Sequence, residues 1–226
     1  MRKRSRPSRS KATKRARSAN AKYHHGNLPA ALVEVAKVLI AERGLEGFTL
    51  REVARRIGVT HVAAYRHFTD RSELLAAVAE HGFLRLGQRL EHARKMSPEL
   101  LEPRIRAILA AYVHFCWEEP ALVAVMFGPR LSPRGEYPHL EAAVERGATV
   151  LAGTIAALAP PRALLNHSAR NLSIALWTFV HGFSTLSYNK GAYPSARMTA
   201  RAFDAALTPM LAGMFGGKSR STAVAV

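Results

Sequence analysis

Residues 50–68 read LREVARRIGVTHVAAYRHF, and their types and spacing fit one kind of chemistry, the grip on a nucleic acid. Tyr65-Arg66-His67-Phe68 puts a phenol, a guanidinium and an imidazole together on a helix of about two turns. A buried hairpin has little use for that combination, whereas a phosphate backbone is contacted by such groups. Ile57-Gly58-Val59 separates this helix from the one before it, and glycine permits the left-handed backbone that a tight inter-helix turn needs. Ala54 is small where the two helices must cross. Val53, Ile57, Val59 and Ala64 point apolar groups into a shared core, leaving Arg51, Arg55, Arg56, Thr60, His61, Tyr65 and Arg66 more exposed. The pattern predicts a helix-turn-helix whose second helix enters the major groove of DNA. Ala–Gly spacing alone fits an ordinary helical hairpin better; the aromatic-basic ending, with Arg71 at the next helix start, shifts the balance to DNA.

Other chemistries find less support. There are ten histidines, but no HExxH and no His-x3-His pair, and the single cysteine, Cys116, has no partner for a disulfide or a multi-cysteine zinc site. Neither a metal nor a cofactor is expected. The glycines mark helix ends rather than a phosphate loop, and Glu118-Glu119 reads as a solvated helix start. With no nucleophile–base pair, the chain is not expected to be an enzyme. Trp177 and His181 lie four residues apart on one helix face, a spacing shared by a pocket wall and by an ordinary tertiary contact. Phe115, Trp117, Met126 and Phe127 fit either the same cavity or the core.

The elements that must position these residues are helices. Leu28, Leu32, Val35 and Leu39 share a face, with Asn27 placed to cap, Pro29 in the first turn and Gly44 at the end. Thr49-Leu50-Arg51-Glu52 is a capping box for a short helix ending at Gly58. Thr60 caps another through His67, and Asp70-Arg71-Ser72-Glu73 opens a long one to about Lys95. Further helices are predicted near 97–117, 119–127, 137–158, 163–189 and 195–214, with Pro209 kinking or ending the last. Asn171 to Asn189 has no formal charge, but eight polar side chains argue against a membrane span. Leu172, Leu176, Phe179, Phe183 and Leu186 form one apolar stripe; Ile174, Trp177, His181 and Tyr188 form a second. A soluble helix with two such stripes is covered on two sides, which points to a dimer.

Charge narrows the partner. The 226 residues carry a net charge of +17, and residues 1–22 alone hold ten Lys/Arg and no acid. That segment lacks the apolar run of a secretory signal and the apolar face of a transit peptide. Two readings remain, a phosphate-binding basic arm for a polyanion and a solubilising, functionally neutral extension, and the helix-turn-helix that follows favours the arm.

FTLREVARRIGVTHVAAYRHFTDRSELL, with the leader YHHGNL (Tyr23–Leu28), resembles the tetracycline-repressor (TetR) family of bacterial transcription regulators. MFGPRL (Met126–Leu131), Tyr137-Pro138 and WTFVHGF (Trp177–Phe183) resemble the subgroup with a Trp…His-Gly signature. The resemblance implies an all-α protein with a three-helix helix-turn-helix DNA-binding domain and a helical C-terminal domain for dimerisation and effector binding. The expected parts are a basic arm at 1–22, the DNA-binding domain at 23–71 and a connecting helix at 72–95. A ligand-binding and dimerisation domain at 96–215 and a flexible tail at 216–226 complete the chain. By resemblance, Thr60, His61, Val62 and Ala63 face base edges, Tyr65, His67 and Arg71 face phosphate, and Thr49 caps a helix whose amino end meets phosphate. His61 and Val62 stand where the family often has Lys and Gly, which leaves the operator sequence open. The expected effector pocket comprises Phe115, Met126, Phe127, Trp177 and His181. The expected partners are a double-stranded DNA operator, a small-molecule effector and a second copy through residues 163–189 and 195–214, with no membrane. A cytoplasmic, nucleoid-associated place is implied. The rival reading is a nonspecific architectural nucleic-acid binder driven by the basic arm, distinguished by equal affinity for operator and scrambled duplex.

Overall fold

The computed structural model describes residues 27–128, 135–165, 167–188 and 199–216, and every regular element among them is helical. The basic arm, the leader through Gly26, Pro129 to Leu131 of the MFGPRL stretch, residues 195–198 and the tail beyond Gly216 lie outside the described residues. Two compact units divide the chain: residues 1–78 with 127–131, and residues 79–126 with 132–226.

The first unit is built by caps and small residues. Helix α1 (Leu28–Arg43) starts where Asn27 Oδ1 accepts the Ala30 N–H at 3.3 Å and ends where Gly44, at φ +76°, donates to Ile40 O. Helix α2 (Leu50–Ile57) begins at Thr49, whose Oγ1 accepts the Glu52 N–H at 3.2 Å. It closes in a Schellman motif: Gly58, at φ +86°, donates to Arg55 O, and Val59 donates to Ala54 O. Helix α3 (His61–Tyr65) is shorter than expected, because its last turn tightens, with His67 and Phe68 both donating to Ala64 O. Ala54 and Ala64 are fully buried where α1, α2 and α3 pack together with Leu32, Leu39 and Val53. Helix α4 (Arg71–Met96) starts as a displaced capping box: Asp70 Oδ1 accepts from Glu73 N–H, and the Glu73 carboxylate reaches back to Thr69.

In the second unit, helix α5 (Leu101–Glu118) is central, burying Ile105, Ile108, Leu109, Tyr112 and Phe115 almost completely. It packs against α7 (Pro138–Leu158), α8 (Ala169–Tyr188) and α9 (Ala200–Phe215). The short α6 (Pro120–Met126) leaves α5 at 106°. Gly82 on α4 admits α6 closely: a Cβ there would stand 2.5 Å from Met126 Sδ. Phe203 joins α9 to α8, stacked 6.0 Å from Phe179 and edge-on 5.1 Å from Phe183.

Three boundaries differ from the sequence expectation. The helix expected near 97 begins at Leu101: Ser97 still donates to Ala93 O at the end of α4, residues 97–100 form an irregular link around Pro98, and Leu100 is extended at the start of α5. The helix expected at 163 begins at Ala169: Pro161–Leu164 forms a single 3-10 turn, and Ser168 Oγ caps α8 by accepting from Asn171 N–H at 3.1 Å. Pro209 sits inside α9 without ending it. The carbonyl it leaves without its helical donor belongs to Ala205, at an exposed position where water can serve it. No single helix among the described residues is long and apolar enough to cross a membrane; α5 and α6 would pass by composition only as a bent pair.

Candidate nucleic-acid interface

Thr60 sets the start of α3 by accepting the Ala63 N–H at 3.2 Å on Oγ1. From that fixed start His61 and Val62 project outward, Val62 at 51% exposure, while Ala63 is half-buried and Ala64 fully buried. Tyr65 is 49% exposed and His67 is exposed beyond the helix end. An exposed valine and tyrosine beside an imidazole, on a helix anchored by one buried alanine, form a solvent-facing side of the helix rather than a core face. Thr49 is exposed as well, its hydroxyl engaged in the α2 cap.

The cations around this face are held differently. The Arg71 guanidinium lies 4.9 Å over the Phe48 ring, and its Nε and Nη2 are buried with no hydrogen-bond partner. Stacking on the ring fixes the position of the group. Arg43 pairs with Glu52 at 2.5 Å, offsetting the one acidic residue in the first turn of α2. Arg56 forks onto Glu42 at 2.6 and 2.7 Å, and that pairing holds the Glu42 carboxyl below its ordinary pKa. Arg51 and Arg66 are exposed. Sequence reasoning missed the Phe48–Arg71 stack and both arginine pairs. Phe48 directly before the Thr49 cap was the available signal, since an apolar residue there staples onto the first turns of a helix.

The five residues expected to line a pocket are placed as follows. Trp177 and His181 gather around Tyr112 of α5: its hydroxyl lies 2.8 Å from His181 Nδ1, and its ring meets Trp177 edge-on at 5.0 Å. Thr185 Oγ1 is 3.5 Å from His181 Nε2, and burial pushes the imidazole pKa below 6.5. Trp177 Nε1 is buried with no hydrogen-bond partner. Phe115 is fully buried, with the Arg89 guanidinium 5.4 Å over its ring, and Met126 packs against Gly82. Phe127 is 45% exposed. Cys116 is buried, and burial pushes its thiol up to about 11, so it is no nucleophile. The second unit also has a cleft of about 420 Å³ between α4 and α5 and one of about 270 Å³ between α5 and α9. A third, of about 320 Å³, is lined by Arg94, Arg104 and Thr154 among others. No three His, Cys, Asp or Glu side chains among the described residues gather as a metal site.

Two family models match the chain. One, bacterial regulatory proteins of the tetR family, covers residues 32–78; the other, a tetracyclin repressor-like C-terminal domain, covers residues 105–210. The chain belongs to the tetR family. In TetR terms the first match holds α1 to α3 and the opening of α4, and the second runs from α5 into α9. Nucleoid occlusion factor SlmA of Mannheimia succiniciproducens is 29% identical over 100 residues, 44% of this chain and 46% of that protein. This TetR chain thus spans about half the length of the curated relatives it matches. A protein of unknown function from Rhodococcus sp. RHA1 aligns over 85% of this chain and 98% of its own, at 30% identity and a TM-score of 0.74. A bacterial regulatory protein in the tetR family from Rhodococcus RHA1 shares the fold at 18% identity, covering 86% of this chain and 100% of its own with a TM-score of 0.63.

Proposed function

We propose that this TetR-family protein is a ligand-responsive transcriptional repressor that binds a near-palindromic operator as a homodimer and leaves it when a small-molecule effector binds. The observation that carries the reading is α3: a capped short helix whose exposed face is His61, Val62 and Tyr65, in the same compact unit as an Arg71 guanidinium stacked on Phe48. Thr60, His61, Val62 and Ala63 meet base edges, His61 by hydrogen bond and Val62 and Ala63 through thymine methyls. Tyr65, His67 and Arg71 hold phosphates, and the amino end of α2 behind Thr49 offers backbone N–H groups to another.

In a dimer, two recognition helices enter successive major grooves, with half-sites roughly 34 Å apart. Ile174 at 53% and Leu186 at 38% exposure leave apolar surface on α8 that suits pairing through α8 and α9. Effector binding in the second unit releases DNA by population shift, so the effector binds the released conformation more tightly. DNA as partner places the protein in the cytoplasm, at the nucleoid. Footprinting on the DNA flanking its own gene tests the proposal, with a protected two-fold-symmetric site as the expected result. Equal affinity for that site and a scrambled duplex at about 0.15 M salt would sink it in favour of a nonspecific binder.

A further inference from the structure

Two clefts of the second unit meet at His114 on α5, and their linings differ in kind. The cleft between α4 and α5 is lined by Arg85, Gln88, Arg89, His92 and His114 over an alanine floor, with no carboxylate in its wall. Glu119 and Glu118 pair with Arg85 and Arg89 at 2.7 and 2.6 Å, but half-exposed pairs of this sort contribute little and exchange readily for another anion. The Phe115 ring beneath Arg89 keeps that guanidinium in place. The cleft between α5 and α9 is walled by Ala110, Val113, Trp117, Phe203 and Leu207. Its charged wall residues, Arg106 and Asp204, bind each other at 2.5 Å, and Arg106 is further held by Glu102 and Thr208. Arg106 is shared among three partners where Arg85 and Arg89 each have a single carboxylate, and apart from this cluster and His114 the wall of the second cleft is apolar. Where the two clefts adjoin, α5 presents the small Ala107, Ala110 and Ala111 beside the exposed His114 that lines both, and one molecule crossing α5 would pass over the alanines.

We infer that these clefts form one binding site for an amphipathic organic anion, a carboxylate or phosphate head on an acyl or aryl body. The head lies among Arg85, Arg89 and His92, and the body crosses α5 to rest against Trp117 and Phe203. Any regulatory use of the site rests on the proposed ligand response; the binding itself does not.

Calorimetric titration of the full chain with decanoate, decyl phosphate and decan-1-ol, each below its micelle concentration, tests this. At least one of the two anions is expected to bind about ten-fold tighter than the alcohol, the worth of one charge-assisted hydrogen bond. Which anion binds tighter identifies the head group. Arg85→Gln with Arg89→Gln should abolish that advantage and leave decan-1-ol unchanged, whereas Ala110→Trp should weaken all three. Should Ala110→Trp fail to fold, Ala111→Glu on the floor of the basic cleft carries the test by repelling both anions but not the alcohol. Equal binding of anions and alcohol, or an advantage that survives the arginine changes, overturns the site. Operator release is measured in parallel. Binding without release removes the regulatory use and leaves the site; release by another compound at unchanged strength in the arginine variant removes the site as effector pocket and leaves the ligand response.

Discussion

His61 and Arg71 belong to the same unit, yet their surroundings suit them to different tasks. His61 is exposed at the start of α3, held only by the backbone that Thr60 caps, so its ring is free to meet a base edge. Arg71 is pinned over Phe48, which suits a fixed phosphate and not a choice among bases. His61→Ala is therefore expected to change which bases a randomised-site selection recovers; an unchanged preference ends its reading role. Arg71→Gln should weaken all duplexes alike and flatten the plot of log affinity against log salt by about one unit. His181 lends itself to a pH test. Its pKa lies below the ordinary 6.5 because burial disfavours the charged ring, so the unfolded chain takes up the proton first. The stability it contributes is present above pH 6.5 and is lost as pH falls from there toward the folded pKa. His181→Gln should flatten the fall in melting temperature between pH 7 and about 5.5. At this scale the caps at Asn27, Thr49 and Thr60 were legible in the sequence, because a cap bonds to a backbone two or three residues away. The Tyr112–His181 contact was not, since its partners stand 69 positions apart and only the packing of α5 on α8 joins them.

Element by element, the turn between α2 and α3 is the most constrained piece of the reading head. Gly58 at φ +86° has open space around its Cα, so a Cβ there meets no neighbour and the cost of adding one is purely backbone. Gly58→Ala is expected to lower unfolding free energy by about 1–2 kcal/mol, the cost of a left-handed L-residue, read as a lower urea midpoint at unchanged slope. A loss below about half a kcal/mol would mean that the Schellman closure relaxes into another turn. The first four helices were legible because their starts and stops are written in caps and glycines. The later starts were less so: Pro160-Pro161 allowed a helix from 163, but a 3-10 turn takes those residues and Ser168 caps α8 instead. Two local signals competed there, and the Ser168 cap set the start of α8. Pro209 teaches the converse, since an exposed carbonyl makes a proline tolerable inside α9.

For the whole molecule, the question is how a net charge of +17 divides between attraction and recognition. Residues 1–22 hold ten of the 33 Lys/Arg and no acid, whereas residues 49–71 hold five arginines against two acids. Of those five, Arg56 is matched by Glu42 and Arg55 lies 3.8 Å from Glu52, so less cationic charge faces a phosphate than the sequence count suggests. On the proposed reading, sequence-blind attraction then comes largely from residues 1–22. Each phosphate neutralised there would add about 0.9 to the salt slope of binding, while discrimination between sites would stay with α3. Deleting residues 1–22 is accordingly expected to weaken binding to every duplex and to flatten the salt slope by more than one unit, with the preferred site in a randomised selection unchanged. A shifted preference would assign the arm a reading role of its own, most simply through the degenerate minor-groove pattern that separates A·T from G·C. An unchanged slope would return the attraction to Arg51, Arg66 and Arg71.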